Sequence, residues 1–144
     1  MTANEFWCVV PSLGDVLASS EGRVMRLPRL IACYHGGFRQ IGGKPLPGQW
    51  DGERYIYLHS RRTYKVARLI CEAFHGPPPQ SWSVCMHLDE NARNNRPENL
   101  AWGTQKQNLN APGFIAYCQR CVGIHSPSYK ARLRRAAAKK VEVQ

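Results

Sequence analysis

The stretch Val84–Asn110, VCMHLDENARNNRPENLAWGTQKQNLN, constrains the fold more than any other part of the chain. It opens on a short apolar run that carries a histidine, Val84-Cys85-Met86-His87. A polar loop of Asp, Asn, Arg and Pro follows, too rich in turn-forming residues to continue a strand. A second short run, Leu100-Ala101-Trp102-Gly103, comes next. Thr104 then stands three residues before Gln107, the spacing of a capping box, and predicts a helix start. Strand, loop, strand and helix are therefore expected in that order. His87 falls on the first strand, Asn99 at the edge of the second and Asn108 on the helix.

This pattern resembles the HNH, or ββα-metal, endonucleases of the phage and intron homing type. The matching residues are His87, Asp89, Asn91, Asn94-Asn95, the run Arg96-Pro97-Glu98-Asn99-Leu100, Trp102, Thr104 and Asn108. The resemblance extends to a helix over 65–75, where Val66, Leu69, Ile70, Ala73 and Phe74 form one apolar stripe at helical spacing. Gly76 and Pro77-Pro78-Pro79 end it. Family members often carry a histidine near the start of this helix, where this chain has Ala67. Near the N-terminus, Glu5-Phe6-Trp7 and Ser19-Ser20-Glu21-Gly22-Arg23-Val24 resemble the small DNA-contacting modules that precede HNH domains in homing enzymes. The resemblance covers residues 5–24 and 54–110 and fades beyond them.

Phosphodiester hydrolysis must deprotonate a water, neutralise charge on the phosphorane and stabilise the leaving oxygen. An imidazole titrates near neutral pH and suits the first task. The resemblance implies that His87 is this general base, that Asn108 ligates a divalent metal, Mg2+ or Mn2+, and that Asn99 braces the loop. Such hard cations take oxygen ligands and keep several waters. One expected feature is absent. Homing members carry Asp before the histidine as a second metal ligand, and this chain has Met86, whose thioether does not suit Mg2+. Strand alternation is read as turning Met86 toward the core, opposite His87. Asp89 has two readings: first an Asx-turn residue that bonds backbone amides, second a replacement metal ligand.

The expected architecture is α+β. Residues 1–60 form an N-terminal β-rich, DNA-contacting module. Residues 61–112 form the HNH core, with a helix over 65–75 and the ββα unit over 83–111. Residues 113–144 hold a Cys-x-x-Cys segment and a basic tail helix. Within the first module, residues 31–53 are rich in Gly and Pro and read as loop or hairpin connections. In Arg54-Tyr55-Ile56-Tyr57-Leu58, alternation predicts a strand with Ile56 and Leu58 on one face. Cys118 and Cys121 are read as loop thiols; with His125 they are also three of the four ligands that a structural zinc would need. Cys85 or Cys33 would be the fourth. Ser126-Pro127 opens the tail helix, which carries Lys130, Arg132, Arg134, Arg135, Lys139 and Lys140.

The formal net charge of +10 directs the chain toward polyanions, here double-stranded DNA. Candidate DNA contacts are Arg23, Arg61, Arg62, Arg93, Arg96, Lys106, Lys130, Arg132, Arg134 and Arg135. Arg26, Arg29 and Arg39 extend that basic surface. No apolar run approaches membrane-spanning length, and MTANEFW lacks the pattern of a signal peptide. The expected location is the cytoplasm, that of a bacterial host if the chain is phage-encoded, and six cysteines are then expected reduced. The functional reading is a metal-dependent DNA endonuclease that nicks one strand per site; monomer and dimer both stay open. A DNA-binding or assembly protein on a degenerate HNH scaffold is the alternative, with Met86 its best support.

Overall fold

A computed structural model of the chain describes residues 4–121. These fall into two packed units, one running to Gln105 and one starting at Lys106.

The first unit opens with an antiparallel three-stranded sheet, β1 (Trp7–Val9), β2 (Val16–Ser19) and β3 (Val24–Arg26), in that spatial order. Next come β4 (Arg29–Ala32) and β5 (Phe38–Ile41), which pair only with each other among the described strands. A second three-stranded sheet follows from β6 (Gln49–Trp50), β7 (Tyr55–His59) and β8 (Arg62–Lys65). The helix α1 (Val66–His75) continues directly from β8. The hairpin of β9 (Val84–His87) and β10 (Leu100–Gly103) completes the unit, and a single turn of 3-10 helix at Pro97–Asn99 leads into β10. The architecture is α+β.

The helix α1 sits at the centre of this unit because its apolar stripe is wide. Val66, Leu69, Ile70 and Cys71 are all buried, and they pack in one cluster with Val10, Val16, Ala18, Val24 and Leu100. The core thus draws on the N-terminal strands, on α1 and on the β9–β10 hairpin. Burying a branched aliphatic side chain contributes about 1.5–3 kcal/mol, so this shared cluster is the main force that fixes the hairpin against the N-terminal sheet. Glu72 is the polar exception on α1. Its carboxylate accepts hydrogen bonds from the Ser12 backbone N–H at 2.8 Å and the Ser12 hydroxyl at 3.0 Å, which ties α1 to the loop after β1.

Ile56 and Leu58 share one face of β7 as expected, though it is not the core side, and the reading of Met86 is corrected. Along β7 the core side is that of Tyr55, Tyr57 and His59, whereas Leu58 is 71% exposed. The tyrosine rings present large apolar bodies to the α1 cluster, and His59 Nε2 lies 3.2 Å from Asp15 Oδ1, so the aromatic face takes the core side. On β9 the core face is that of Cys85, whose cross-strand partner is Trp102; both pack on the α1 cluster. Strand alternation therefore places Met86 on the face away from that core.

In the stretch 31–53, read as loop or hairpin connections, a hairpin forms. Strands β4 and β5 form a ribbon in register from Arg29↔Ile41 to Ala32↔Phe38. Leu30, Tyr34 and Phe38 are 68%, 98% and 76% exposed. With both faces outward, the ribbon carries no alternation to read.

The second unit begins within the short helix α2 (Gln105–Leu109) and continues into α3 (Pro112–Cys121). Leu109, Phe114, Ile115 and Cys118 line a shallow apolar pocket within it. The proposed tail helix lies outside the described residues. Among the described residues no helix is long and apolar enough to cross a membrane.

Candidate active site

The hairpin positions its functional side chains by register. His87 is the last residue of β9 and pairs with Leu100, the buried first residue of β10. Because partners across an antiparallel pair share a face, His87 stands on the same side as Leu100, at the border of the core. The imidazole Nε2 lies 2.9 Å from Oδ1 of Asn95, a residue only 4% exposed.

The loop between the strands is closed by side-chain amides rather than by apolar contacts. Asn99 is 8% exposed and works on three partners. Its Oδ1 accepts the Asp89 backbone N–H at 2.9 Å, and its Nδ2 donates to Asp89 Oδ1 and to the Asn94 carbonyl, both at 2.8 Å. Its own carbonyl accepts the Leu88 N–H at 2.8 Å, which extends the hairpin pairing one step past His87. Asp89 is the other centre. Oδ1 also accepts the Asn91 N–H at 2.8 Å, an Asx-turn, and Oδ2 accepts from Nδ2 of Asn94 at 2.8 Å. The Asn94 amide, the Asn91 N–H and the Asn99 amide together hold the Asp89 carboxyl below its ordinary range, so the loop is built around a carboxylate. Sequence alone predicts the Asx-turn but not that both oxygens are engaged within the loop.

Contacts from far upstream reach the same loop. Arg96 Nη2 lies 2.6 Å from Oε2 of Glu21 in the β2–β3 turn. The Arg93 guanidinium stacks over Trp50 at 4.6 Å from the ring centroid. At Gly22, with φ +80°, a Cβ would lie 3.0 Å from the backbone carbon of Asn95, so the turn rests directly on that residue. On the other side, His75 Nε2 lies 2.8 Å from the Pro97 carbonyl and Trp102 Nε1 donates to the Gly76 carbonyl at 2.9 Å, which ties the end of α1 to the hairpin.

Asn108 lies on α2 in the second unit, as does exposed Lys106. Among the described residues no group of three or more His, Cys, Asp or Glu gathers as a metal site. Cys118 lies on α3, while the Cys121 side chain and His125 lie outside the described residues. Cys85 and Cys33 were the alternatives for a fourth zinc ligand. The Cys85 thiol is pushed well above its usual range by its hydrogen bond with Cys71 and by burial. It packs against α1 with Sγ 3.4 Å from the Ala67 carbonyl. Cys33 is exposed at the end of the β4–β5 ribbon.

The basic candidates differ in how free they are. Arg23 forms a two-pronged pair with Glu5, with Nε 3.0 Å from Oε1. Burial would raise the Glu5 carboxyl, but the Arg23 and Ser19 hydrogen bonds and the Arg23 charge hold it below its ordinary range. Arg96 and Arg93 are engaged with Glu21 and Trp50 as described. Arg61 and Arg62 are exposed at the β7–β8 turn, and Arg29 and Arg39 are exposed on the β4–β5 ribbon. Lys130, Arg132, Arg134 and Arg135 lie outside the described residues.

Asn94 and Asn95 stand side by side in the polar loop. The structure separates them: Asn94 faces Asp89 and Asn95 faces His87. Adjacent identical residues carry no signal that could have told them apart.

Comparison with known proteins adds an independent finding. Residues 64–110 match the HNH endonuclease family, a span that runs from β8 through α1 and the hairpin to the end of α2. A solved structure described as "DNA binding and cleavage by the HNH homing endonuclease I-HmuI" is similar to this chain with a TM-score of 0.46 and 22% identity. That likeness covers 83% of this chain and 67% of the other. No curated protein matches the chain significantly.

Proposed function

From the premise that residues 64–110 are an HNH endonuclease domain, we propose that this chain hydrolyses duplex DNA one strand at a time, with His87 as general base. One observation carries the reading: the matched segment contains a histidine at a strand end, over a loop locked by Asn99 and Asp89.

In this reading His87 takes the proton of the attacking water, the imidazole being suited to that exchange near neutral pH. Asn99 keeps the loop closed and so fixes the strand end from which His87 projects. The oxygen donors on offer, the Asn108 carboxamide and the Asp89 carboxylate, are hard and fit a divalent cation such as Mg2+ or Mn2+. Asn108 is the proposed ligand, through its carboxamide oxygen; Asp89, whose two oxygens already serve the loop, is the alternative one. When bound, the cation supplies charge neutralisation at the scissile phosphate and at the leaving oxygen. Met86 takes no part: its thioether is soft, and it stands on the strand face away from the α1 core.

Duplex DNA would lie along the exposed cations. The β4–β5 ribbon presents Arg29 and Arg39 beside exposed Tyr34 and Phe38, and the β7–β8 turn presents Arg61 and Arg62. Lys106 on α2 and the tail residues Lys130, Arg132, Arg134 and Arg135 would add backbone contacts without sequence readout.

The test is relaxation of supercoiled plasmid with Mg2+ or Mn2+. Wild type should convert it to open circles; EDTA and His87→Ala should each abolish the conversion, with about 100-fold or greater loss expected for a missing general base. Plasmid bound and shifted but cut in neither metal would establish instead a DNA-binding protein on a degenerate HNH scaffold. An Asp89→Ala protein that folds and keeps its metal requirement would dismiss Asp89 as a ligand.

A further inference from the structure

We propose that Asn95 is the positioning residue of His87, fixing the imidazole in the tautomer that leaves Nδ1 free to accept a proton. The inference rests on the reading of His87 as general base and assigns a role to a residue outside that reading.

The geometry is specific. Asn95 Oδ1 lies 2.9 Å from His87 Nε2. A carboxamide oxygen can only accept, so Nε2 must carry the hydrogen and the lone pair of the neutral ring resides on Nδ1. Asn95 is 4% exposed, so water does not readily replace it. A hydrogen bond on one ring nitrogen sets both the tautomer and the ring orientation, as it does for histidines that ligate metals.

Asn95 is itself held from outside the hairpin. The Gly22 position lies so close to its backbone that a Cβ there would meet the Asn95 carbon at 3.0 Å and its oxygen at 3.2 Å. The Glu21–Arg96 ion pair at 2.6 Å straps the next residue to the same turn. The β2–β3 turn of the N-terminal sheet therefore sets where the Asn95 amide sits, and through it how the base is aimed. Asn94, one residue earlier, faces Asp89 and has no part in this.

The experiment pairs ring spectroscopy with kinetics on the full chain. Nitrogen-15 ring shifts of His87, assigned by difference from His87→Ala and recorded where the ring is neutral, should show hydrogen on Nε2 in wild type. Asn95→Leu removes the acceptor at similar volume. It should shift the ring toward a tautomer mixture and lower kcat about 10–100-fold, the usual range for loss of an orienting partner. KM for DNA should stay within about twofold, since no ground-state contact is lost. Asn95→Asp keeps an acceptor oxygen in place and should restore the wild-type tautomer and most of kcat. Hydrogen on Nδ1 in wild type overturns the proposal whether or not Asn95→Leu folds. So does an Asn95→Leu protein with unchanged tautomer and kcat. Should wild type fail to cut DNA, the endonuclease reading falls while the ring spectra still decide whether Asn95 sets the tautomer.

Discussion

Asn99 shows how much of this site depends on single amides. Its side chain satisfies the Asp89 N–H, the Asp89 carboxylate and the Asn94 carbonyl at once, in a nearly buried position. Truncation removes three hydrogen bonds made from a buried amide, each contributing about 0.5–1.5 kcal/mol net. Asn99→Ala should therefore lower the urea midpoint, with a total loss of about 2–4 kcal/mol after partial rehydration, and should reduce cleavage further than the loss of folded protein explains. A variant with an unchanged midpoint would mean that the loop is held elsewhere. The sequence marked Asn99 and His87 through the motif, because residue types at fixed spacing survive translation into a line of text. It did not mark the contact of His87 with Asn95, because that pairing depends on which way two neighbouring amides turn, and the β2–β3 turn that decides it lies over seventy residues upstream.

The elements that could be read in advance are those with a one-sided environment. The helix α1 was legible because one stripe faces the core, and the β9–β10 hairpin because its strands flank a loop dense in turn residues. The β4–β5 ribbon has no buried side, so it carried no period-two signal and only its Gly and Pro content pointed to a loop or hairpin; on β7 the core side belongs to tyrosines, not to Ile56 and Leu58. The β7–β8 connection is a further case: Ser60 and Arg61 both have positive φ, at 48° and 67°. A two-residue hairpin turn of this kind favours Asn-Gly, and an ordinary side chain in the left-handed region costs about 1–2 kcal/mol. Replacing the pair by Ser60→Asn with Arg61→Gly should raise stability by about 1 kcal/mol and Tm by about 2–4 °C. The same double variant should bind DNA more weakly, having lost an exposed cation. Calorimetry beside an affinity titration checks both, and a fall in Tm would show that Arg61 is held in place by contacts worth more than the turn strain.

At the scale of the whole molecule, charge is sorted rather than scattered. The chain has twenty Lys and Arg against ten Asp and Glu. At least five of the ten carboxylates are engaged within the fold: Glu5 with Arg23, Asp15 with Arg26 and His59, Glu21 with Arg96, Glu72 with Ser12, and Asp89 with its loop. The acids thus fix the fold around a few arginines, and cations such as Arg29, Arg39, Arg61 and Arg62 stand exposed on the ribbon and turn. This division predicts two classes of arginine variant. Each phosphate neutralised contributes about −0.9 to the slope of log K against log salt. Arg39→Ala and Arg62→Ala should each make that slope shallower by about 0.9 and leave thermal stability nearly unchanged. Arg23→Ala strands the Glu5 carboxylate, whose side chain is fully shielded, and should act chiefly through lost stability with the slope retained. Anisotropy titrations from 50 to 200 mM salt, roughly the range over which such binding weakens most, separate the classes. If Arg23→Ala alone flattened the slope, the DNA path would run over the β2–β3 turn, the same turn that rests on Asn95. DNA binding and the aim of the base would then be coupled at that point.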